Sequence, residues 1–355
     1  MEMPNVLMLG PSPEAMGGMA TVEKNILDAI HQRGDRAAFI STYEEGCRLK
    51  KLGIASAAYL SYKQELPKCD LVHVHMASRG SYKRKKVFMQ AAFKRNIPVL
   101  LHLHGSEFSV WYDTECSEEQ RLDVKMTFRR CARVIVLSRE WRDYLISREI
   151  CSAEHVSILH NAVDIPKDNS TDYSKNNVLF MGRLGERKSP DVLLRAAAKV
   201  LPKHPDARFI FGGDGDVSAY EQLARDLGII DSCLFIGWAK GAKKEKAFRD
   251  ASIFCLPSKN EGMPMSVLEA MSYGIVTIAT PVGGVPQVIS DGVDGLLFPV
   301  DNVDALAGKL DFLMSDKAHK ARIGKKGRAR IEEAFSLDVF MERIISIYNE
   351  VCKCS

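Results

Sequence analysis

Residues 178–200 read Val-Leu-Phe-Met-Gly-Arg-Leu-Gly-Glu-Arg-Lys-Ser-Pro-Asp-Val-Leu-Leu-Arg-Ala-Ala-Ala-Lys-Val, and this stretch decides the fold. Val178 to Met181 form an uncharged apolar run of the kind that becomes a strand buried on both faces. Gly182 ends the run, and a basic turn carrying Arg183 and Lys188 follows it. Ser189 and Pro190 suit the N-cap and first helical position of a helix predicted over 190–200. Strand, short loop and helix in that order are half of a parallel βαβ unit.

The same alternation continues on both sides. Toward the C-terminus, strands are predicted over 208–211, 234–236, 253–256, 276–279 and 295–298. Helices fit 219–227 (with Gly228 as its stop), 243–250, 264–273 and 303–314, and a last amphipathic helix fits 337–352. Toward the N-terminus, apolar runs mark strands at 5–10, 37–40, 71–75, 99–104 and 134–137, with helical patterns at 20–32, 54–65, 83–95, 118–130 and 140–147. The polar stretch 166–177 breaks the rhythm and is expected to be a linker. The fold class is therefore α/β: two Rossmann-like domains, 1–165 and 178–336, expected to face each other across a cleft. Ligands of open α/β sheets bind beyond the carboxyl ends of the strands, where strand order reverses, so the chemistry is expected in the loops after the strands.

Bulk properties agree. A chain of 355 residues suits two domains of about 150–180 residues each. Hydrophobic residues make up 46% and charged residues 26%, the balance of a folded chain, and a net charge of +4 is too small to argue for a nucleic-acid partner. No uncharged apolar run is long enough to span a bilayer. The start, MEMPNVLMLG, carries an acid where a secretory signal carries positive charge. Nine cysteines with no CxxC pair, several of them in apolar segments, point to reduced thiols and a cytoplasmic location. Cys352 and Cys354 match no prenylation signal.

Several loops carry residue types suited to chemistry. Arg183 and Lys188 flank a strand-to-helix turn, where cations beside helical N–H groups make an anion site; a solvated basic loop fits the same residues. In Glu261-Gly-Met-Pro-Met-Ser-Val-Leu-Glu269, seven residues separate the two glutamates. The first falls in a loop and the second about one turn into a helix. Two acceptors at different depths, with the backbone of Gly262, Met263, Pro264, Met265 and Ser266 and its first-turn amides lying at the helix start between them, suit a ligand with hydroxyls at both ends and phosphates between. Two surface acids flanking a helix start are the plainer reading. Gly17 and Gly18 follow the first strand and let backbone approach a phosphate, or form a simple turn. Neither the GxGxxG nor the GxxxxGK[ST] fingerprint is present. His104, at a strand end before Gly105, is either a packed histidine or a cleft-rim imidazole. Asp214-Gly-Asp216 has the spacing of a metal–diphosphate site but reads as a tight turn, and Arg183 and Lys188 already supply the charge a metal would bring. His73 and His75, like His102 and His104, share a strand face and are expected to pack or to line the cleft rather than to hold zinc.

Taken together, Gly182-Arg-Leu-x-x-x-Lys188, Glu261-x7-Glu269, Gly17-Gly18, His104-Gly-Ser-Glu and Thr280-Pro-Val-Gly-Gly-Val-Pro resemble family-4 retaining glycosyltransferases of the GT-B fold, of the bacterial surface-polysaccharide type. The resemblance spans nearly the whole chain and is strongest over 178–299. It implies that Arg183 and Lys188 hold the diphosphate of a UDP- or GDP-sugar donor, and that Glu261 contacts the transferred sugar and Glu269 the ribose. It also implies that His104 sits near the transferred sugar, and that backbone near Gly18 and over 263–266 touches phosphate or sugar. The last helix, within 337–355, is implied to cross back onto the first domain. Asn161 is carried over as a donor contact, although His160-Asn-Ala-Val-Asp164 departs from the family's Pro-Asn-Gly-Val-Asp. No metal or cofactor is implied. The acceptor is expected to be a saccharide. The basic helix from Lys83 to Arg95, with Val87, Phe88, Ala91 and Ala92 on an inner face, fits an anionic membrane surface and hence a lipid-linked acceptor, or else a solvated helix. A nucleotide-sugar 2-epimerase on the same fold and a non-catalytic nucleotide-sugar-binding protein are the competing functions.

Overall fold

A short apolar run must hide both faces and pair every backbone N–H and C=O, and a parallel sheet between helices satisfies both demands. The computed structural model describes residues 3–13, 15, 17–43, 48–168 and 171–353 and contains two such sheets. Cys354 lies outside the described residues.

In the first unit the strands are β1 (Val6–Gly10), β2 (Ala37–Ser41), β3 (Leu71–Met76), β4 (Val99–Leu103), β5 (Arg133–Val136) and β6 (Val156–Ile158). They are parallel, in the order β2-β1-β3-β4-β5-β6. Helices α1 (Gly18–Gln32), α2 (Arg48–Glu65), α3 (Gly80–Phe93), α4 (Phe108–Val110), α5 (Glu118–Arg129) and α6 (Arg139–Ser147) connect them. The second unit runs from Val163 to Ser336. Its strands β7 (Asn177–Met181), β8 (Arg208–Gly212), β9 (Cys233–Gly237), β10 (Ile253–Leu256), β11 (Val276–Ala279) and β12 (Leu296–Leu297) are again all parallel, in the order β12-β11-β10-β7-β8-β9. Its helices are α7 (Pro190–Val200), α8 (Val217–Asp226), α9 (Gly241–Asp250), α10 (Met265–Ser272), α11 (Val285–Val288), α12 (Val303–Ser315) and α13 (Lys317–Ala334). The last helix, α14 (Leu337–Lys353), belongs to the first unit and packs on α1 and β3. No helix among the described residues is long and apolar enough to cross a membrane.

The strand orders matter for function. The order of strands reverses once in each sheet, between β1 and β3 in the first unit and between β7 and β10 in the second. Loops leaving adjacent strands at such a point part to opposite faces and open a crevice.

Strand β6 and the short helices α4 and α11 lie outside the expected elements, and two longer stretches depart further. The 166–177 stretch groups with the second unit instead of spanning free: Tyr173 Oη donates to Gly274 O at 2.8 Å, Thr171 Oγ1 to Tyr273 O at 2.6 Å, and Pro166 O accepts from Arg328 Nη2 at 2.8 Å. Thr171 and Tyr173 anchor the stretch through their side chains and Pro166 through its carbonyl. Helix α13 has no counterpart among the helices that the sequence pattern predicts. Its buried stripe is Lys320, Ile323, Gly324, Gly327, Arg328 and Ile331, helical in spacing but only one-third aliphatic in kind. Lys320 Nζ donates to Lys175 O at 2.7 Å and to Asn176 Oδ1 at 3.0 Å, and Arg328 Nη1 to Ser272 O at 2.7 Å. A side chain at Gly324 would meet Gly274 O at 2.3 Å. Cations on carbonyls and close backbone contact hold this helix, so hydrophobic periodicity could not reveal it.

Candidate functional site

In the second unit the loops after β7 and β10 leave the sheet side by side at its point of reversal. The loop after β7 carries Arg183, Arg187 and Lys188; the loop after β10 carries Glu261. Lys188 Nζ donates to Glu261 Oε1 at 2.5 Å, and Arg187 Nη1 donates to Asn260 O at 2.9 Å and approaches Glu261 Oε2 at 3.4 Å. Lys259 N donates to Arg187 O at 2.8 Å, so the two loops are also stitched through backbone. Glu261 is only 5% exposed. Burial pushes its carboxyl toward protonation, but the charges of Lys188 and Arg187 outweigh that and hold it below its ordinary range. The result is a buried carboxylate kept ionised by two cations.

Arg183 behaves differently. Its side chain is 70% exposed and donates from Nη1 to Asp214 Oδ2 at 2.8 Å. Asp214 therefore serves as an ion-pair partner, and Asp216 caps α8 by accepting from Ala219 N at 3.2 Å. The loop after β7 is fixed against the loop after β8 by Gly182 N to Gly212 O at 2.9 Å and Leu184 N to Asp214 O at 2.6 Å. Ser189 makes no N-cap bond, contrary to expectation. It stands left-handed at φ 48° and its hydroxyl donates to Glu186 O at 2.9 Å, which closes the turn that carries Lys188.

Residues Gly262, Met263, Pro264 and Met265 are buried beside Glu261, and Ser266 is half-buried. Pro264 is the N-cap of α10, so the first-turn amides are those of Met265 and Ser266. Glu269, one turn in, accepts from Lys244 Nζ at 2.6 Å. The Thr280-Pro-Val-Gly-Gly motif supports this loop. Thr280 Oγ1 donates to Ser258 O at 2.5 Å and Gly284 N to Gly262 O at 2.6 Å. Gly283 is left-handed at φ 56°, and a Cβ there would lie 1.9 Å from Glu261 O, so only glycine lets the two loops touch. Arg187 and Lys244 were missed in the sequence; their neighbours Lys188 and Lys243 masked them within basic runs.

In the first unit, Gly17 and Gly18 are exposed at the start of α1, next to the β1–β3 reversal. Asn161 is buried two residues before Val163, where the second unit begins. His104, half-buried just beyond β4, meets His75 Nδ1 through its Nε2 at 2.9 Å. His73 Nδ1 meets Tyr348 Oη at 2.9 Å and its Nε2 meets His102 Nδ1 at 3.3 Å. His73, His75 and His102 offer nitrogens all within 4.8 Å of one another, the spacing of a metal cluster. Both nitrogens of His73 are committed to these neighbours, so the group is organised as a hydrogen-bonded column. Burial drives all of these rings toward the neutral form; for His73 and His104 the shift is from 6.5 down to about 3.

Beyond the column lie Glu23 on α1 and Lys85 on α3, both fully buried. Glu23 lies 4.0 Å from His75 Nδ1, and neither of its oxygens has a hydrogen-bond partner among the described residues. Burial raises its carboxyl to about 9 against the opposing charge of Lys85, and lowers Lys85 to about 7. Lys85 Nζ donates to Thr42 Oγ1 at 2.5 Å. This corrects the expected basic face of α3. Lys85 points inward, Lys86 pairs with Asp123, Arg79 pairs with Glu107 and Glu115, and Arg84 stacks on Tyr43. Val87, expected inside, is 54% exposed. The outward charge of the helix region is carried by Lys83, Lys94 and Arg95.

Two doubly wound parallel sheets, one with fixed cations and a buried carboxylate at its reversal point, define the GT-B class of fold. Sequence comparison agrees: the profile described as Glycosyl transferases group 1 matches residues 163–330, and that of Glycosyltransferase Family 4 matches residues 16–167. The chain belongs to the family-4 glycosyltransferases and is an enzyme of that kind. An uncharacterised glycosyltransferase of Methanocaldococcus jannaschii is 23% identical over 321 residues, covering 84% of this chain and 78% of its own. The UDP-Gal:alpha-D-GlcNAc-diphosphoundecaprenol alpha-1,3-galactosyltransferase of Escherichia coli is 25% identical over 346 residues, covering 89% and 84%. Among solved structures, HepE of Anabaena, crystallised with UDP and glucose, superimposes with a TM-score of 0.79 at 20% identity, covering 98% of this chain and 100% of its own.

Proposed function

We propose that the enzyme transfers a hexosyl group with retention from a UDP- or GDP-sugar to a saccharide acceptor, lipid-linked and destined for a surface polysaccharide, without a metal ion. One observation carries the reading: Lys188, Arg187 and the buried carboxylate of Glu261 meet where the β7 and β10 loops part. Cleavage of the bond from the anomeric carbon to the diphosphate leaves negative charge on the leaving group. Lys188, Arg183 and the first-turn amides of α10 are positive ends held at the strand termini that stabilise that charge. Binding of the diphosphate draws Arg183 away from Asp214. Glu261 then accepts from hydroxyls of the transferred sugar and Glu269 from the ribose, each exchanging a lysine contact for a ligand hydroxyl. His104 contacts the transferred sugar, and the leaving phosphate takes the acceptor's proton.

The UDP bound by HepE and the lipid-linked substrate in the name of the Escherichia coli relative support the donor and acceptor classes. Contact with an anionic membrane through α3 rests on Lys83, Lys94 and Arg95 beside the exposed Val87. A thermal-shift series with UDP-, GDP-, ADP- and CMP-sugars tests the reading. One UDP- or GDP-sugar at a hundred times its Kd is expected to stabilise the protein by about 2.7 kcal/mol. Stabilisation by none of them would remove the nucleotide-sugar site.

A further inference from the structure

The hydrogen-bond partners of the histidine column fix where each proton sits. His75 uses Nδ1 toward His104 Nε2 at 2.9 Å, while its Nε2 is buried with no partner among the described residues. A neutral imidazole carries one N–H and one bare nitrogen. Leaving an N–H buried and unpaired is rarer in folded proteins than leaving an acceptor so. The proton of His75 therefore belongs on Nδ1, where it is used, and His104 Nε2 accepts it. His104 must then carry its own proton on Nδ1. The same rule applied to His102, whose Nε2 is also buried and unpartnered, puts its proton on Nδ1 toward His73, and the proton of His73 on Nδ1 toward Tyr348. The two pairs thus obey one consistent pattern.

We infer that His75 is a positioning residue, which holds His104 as a neutral imidazole presenting its Nδ1–H outward as a hydrogen-bond donor to an oxygen of the transferred sugar. The groups facing the pair are His73 and His102 on the sheet, Glu23 from α1 and Lys85 from α3. Burial and the charge of Lys85 keep His104 from gaining a second proton near neutral pH. Glu23, protonated, brings no countercharge that would favour an imidazolium. His104 is then excluded as the general base for the acceptor hydroxyl: its bare nitrogen is turned inward and occupied.

The inference rests on the proposed transferase reading only for the identity of the oxygen that His104 contacts. Its test has two parts. Nitrogen-15 NMR of the histidine-labelled free protein is expected to show His104 protonated at Nδ1 and not titrating between about pH 5.5 and 8. His75→Asn places an amide N–H where Nδ1–H stood and is expected to preserve that tautomer. His75→Leu removes the donor, releases His104 to the other tautomer, and is expected to lower kcat about tenfold, the worth of one neutral hydrogen bond. Affinity for the nucleoside diphosphate of the donor found by thermal shift (UDP or GDP) is expected to stay unchanged in both variants, because it has no transferred sugar; this also establishes that both are folded. A wild-type His104 protonated at Nε2 or titrating in that range, or a His75→Asn protein as slow as His75→Leu, would overturn the inference. If the tautomers behave as stated but kcat is indifferent to His75→Leu, the contact of His104 with the sugar fails and the proton arrangement stands.

Discussion

Lys188→Ala is expected to lower kcat by about 10²–10³-fold, the usual cost of deleting one preorganised donor to a developing anion. The variant is also expected to be less stable by about 3 kcal/mol, at the lower end for a buried ion pair that loses one partner. Both effects have the same source. Lys188 is 12% exposed and Glu261 6% by side chain, and Arg187, at 3.4 Å, is the cation left facing the carboxylate among the described residues once the ammonium is gone. The two effects separate in the double variant Lys188→Ala/Glu261→Gln. Neutralising the carboxylate restores most of the lost stability, since no unpaired charge is left buried, yet transfer stays slow. Urea unfolding and initial-rate kinetics on the three proteins check this. Recovery of the rate together with stability would mean that Lys188 serves only as a structural partner of Glu261.

Glu23→Gln is expected to stabilise the enzyme at alkaline pH by on the order of 5 kcal/mol at pH 8 and to change nothing at pH 4. Glu23 has its carboxyl raised from 4.5 to about 9 by burial, with Lys85 opposing the shift. Such a group contributes its full stability below the unfolded value of 4.5. Above it the unfolded chain ionises while the folded chain stays protonated, so stability falls with rising pH until the folded value is passed. Glutamine copies the neutral acid at every pH and removes that slope. It also keeps the flat shape that packs on Gly10, where an added Cβ would sit 2.1 Å from Glu23 Oε1. Unfolding free energies of both proteins from pH 4 to pH 8 decide the matter. A glutamine variant less stable than wild type at pH 8 would mean that Glu23 is ionised against Lys85 in the fold.

Much of this architecture could be read from the chain because buried parallel strands advertise themselves. The run Val178 to Met181 and its counterparts are apolar throughout, and the loops after them carry the charges. Arg183, Lys188 and Glu261 were therefore identifiable as strand-end residues. Their pairing was not. Glu261 and Lys188 lie 73 positions apart and meet only because strand order puts β10 beside β7. Arg187 was hidden for the same reason: a second cation in a basic turn looks solvated until a buried carboxylate faces it. Ser189 had the right identity for an N-cap, but the closing of the Lys188 turn took its hydroxyl. Helix α13 escaped because glycine and buried cations replace its aliphatic stripe, and the basic run on α3 misled because Lys85 turns inward toward Thr42. Periodicity reports hydrophobic burial, and these residues are buried for other reasons.

The central claim is that fixed protein charges, in place of a divalent cation, stabilise the departing diphosphate. Transfer from the nucleotide sugar that gives the largest thermal shift, measured after exhaustive dialysis against EDTA and again with added Mg²⁺ or Mn²⁺, tests it most directly. The account predicts full turnover in EDTA and no stimulation by either ion. Turnover lost in EDTA and restored by the metal would contradict it.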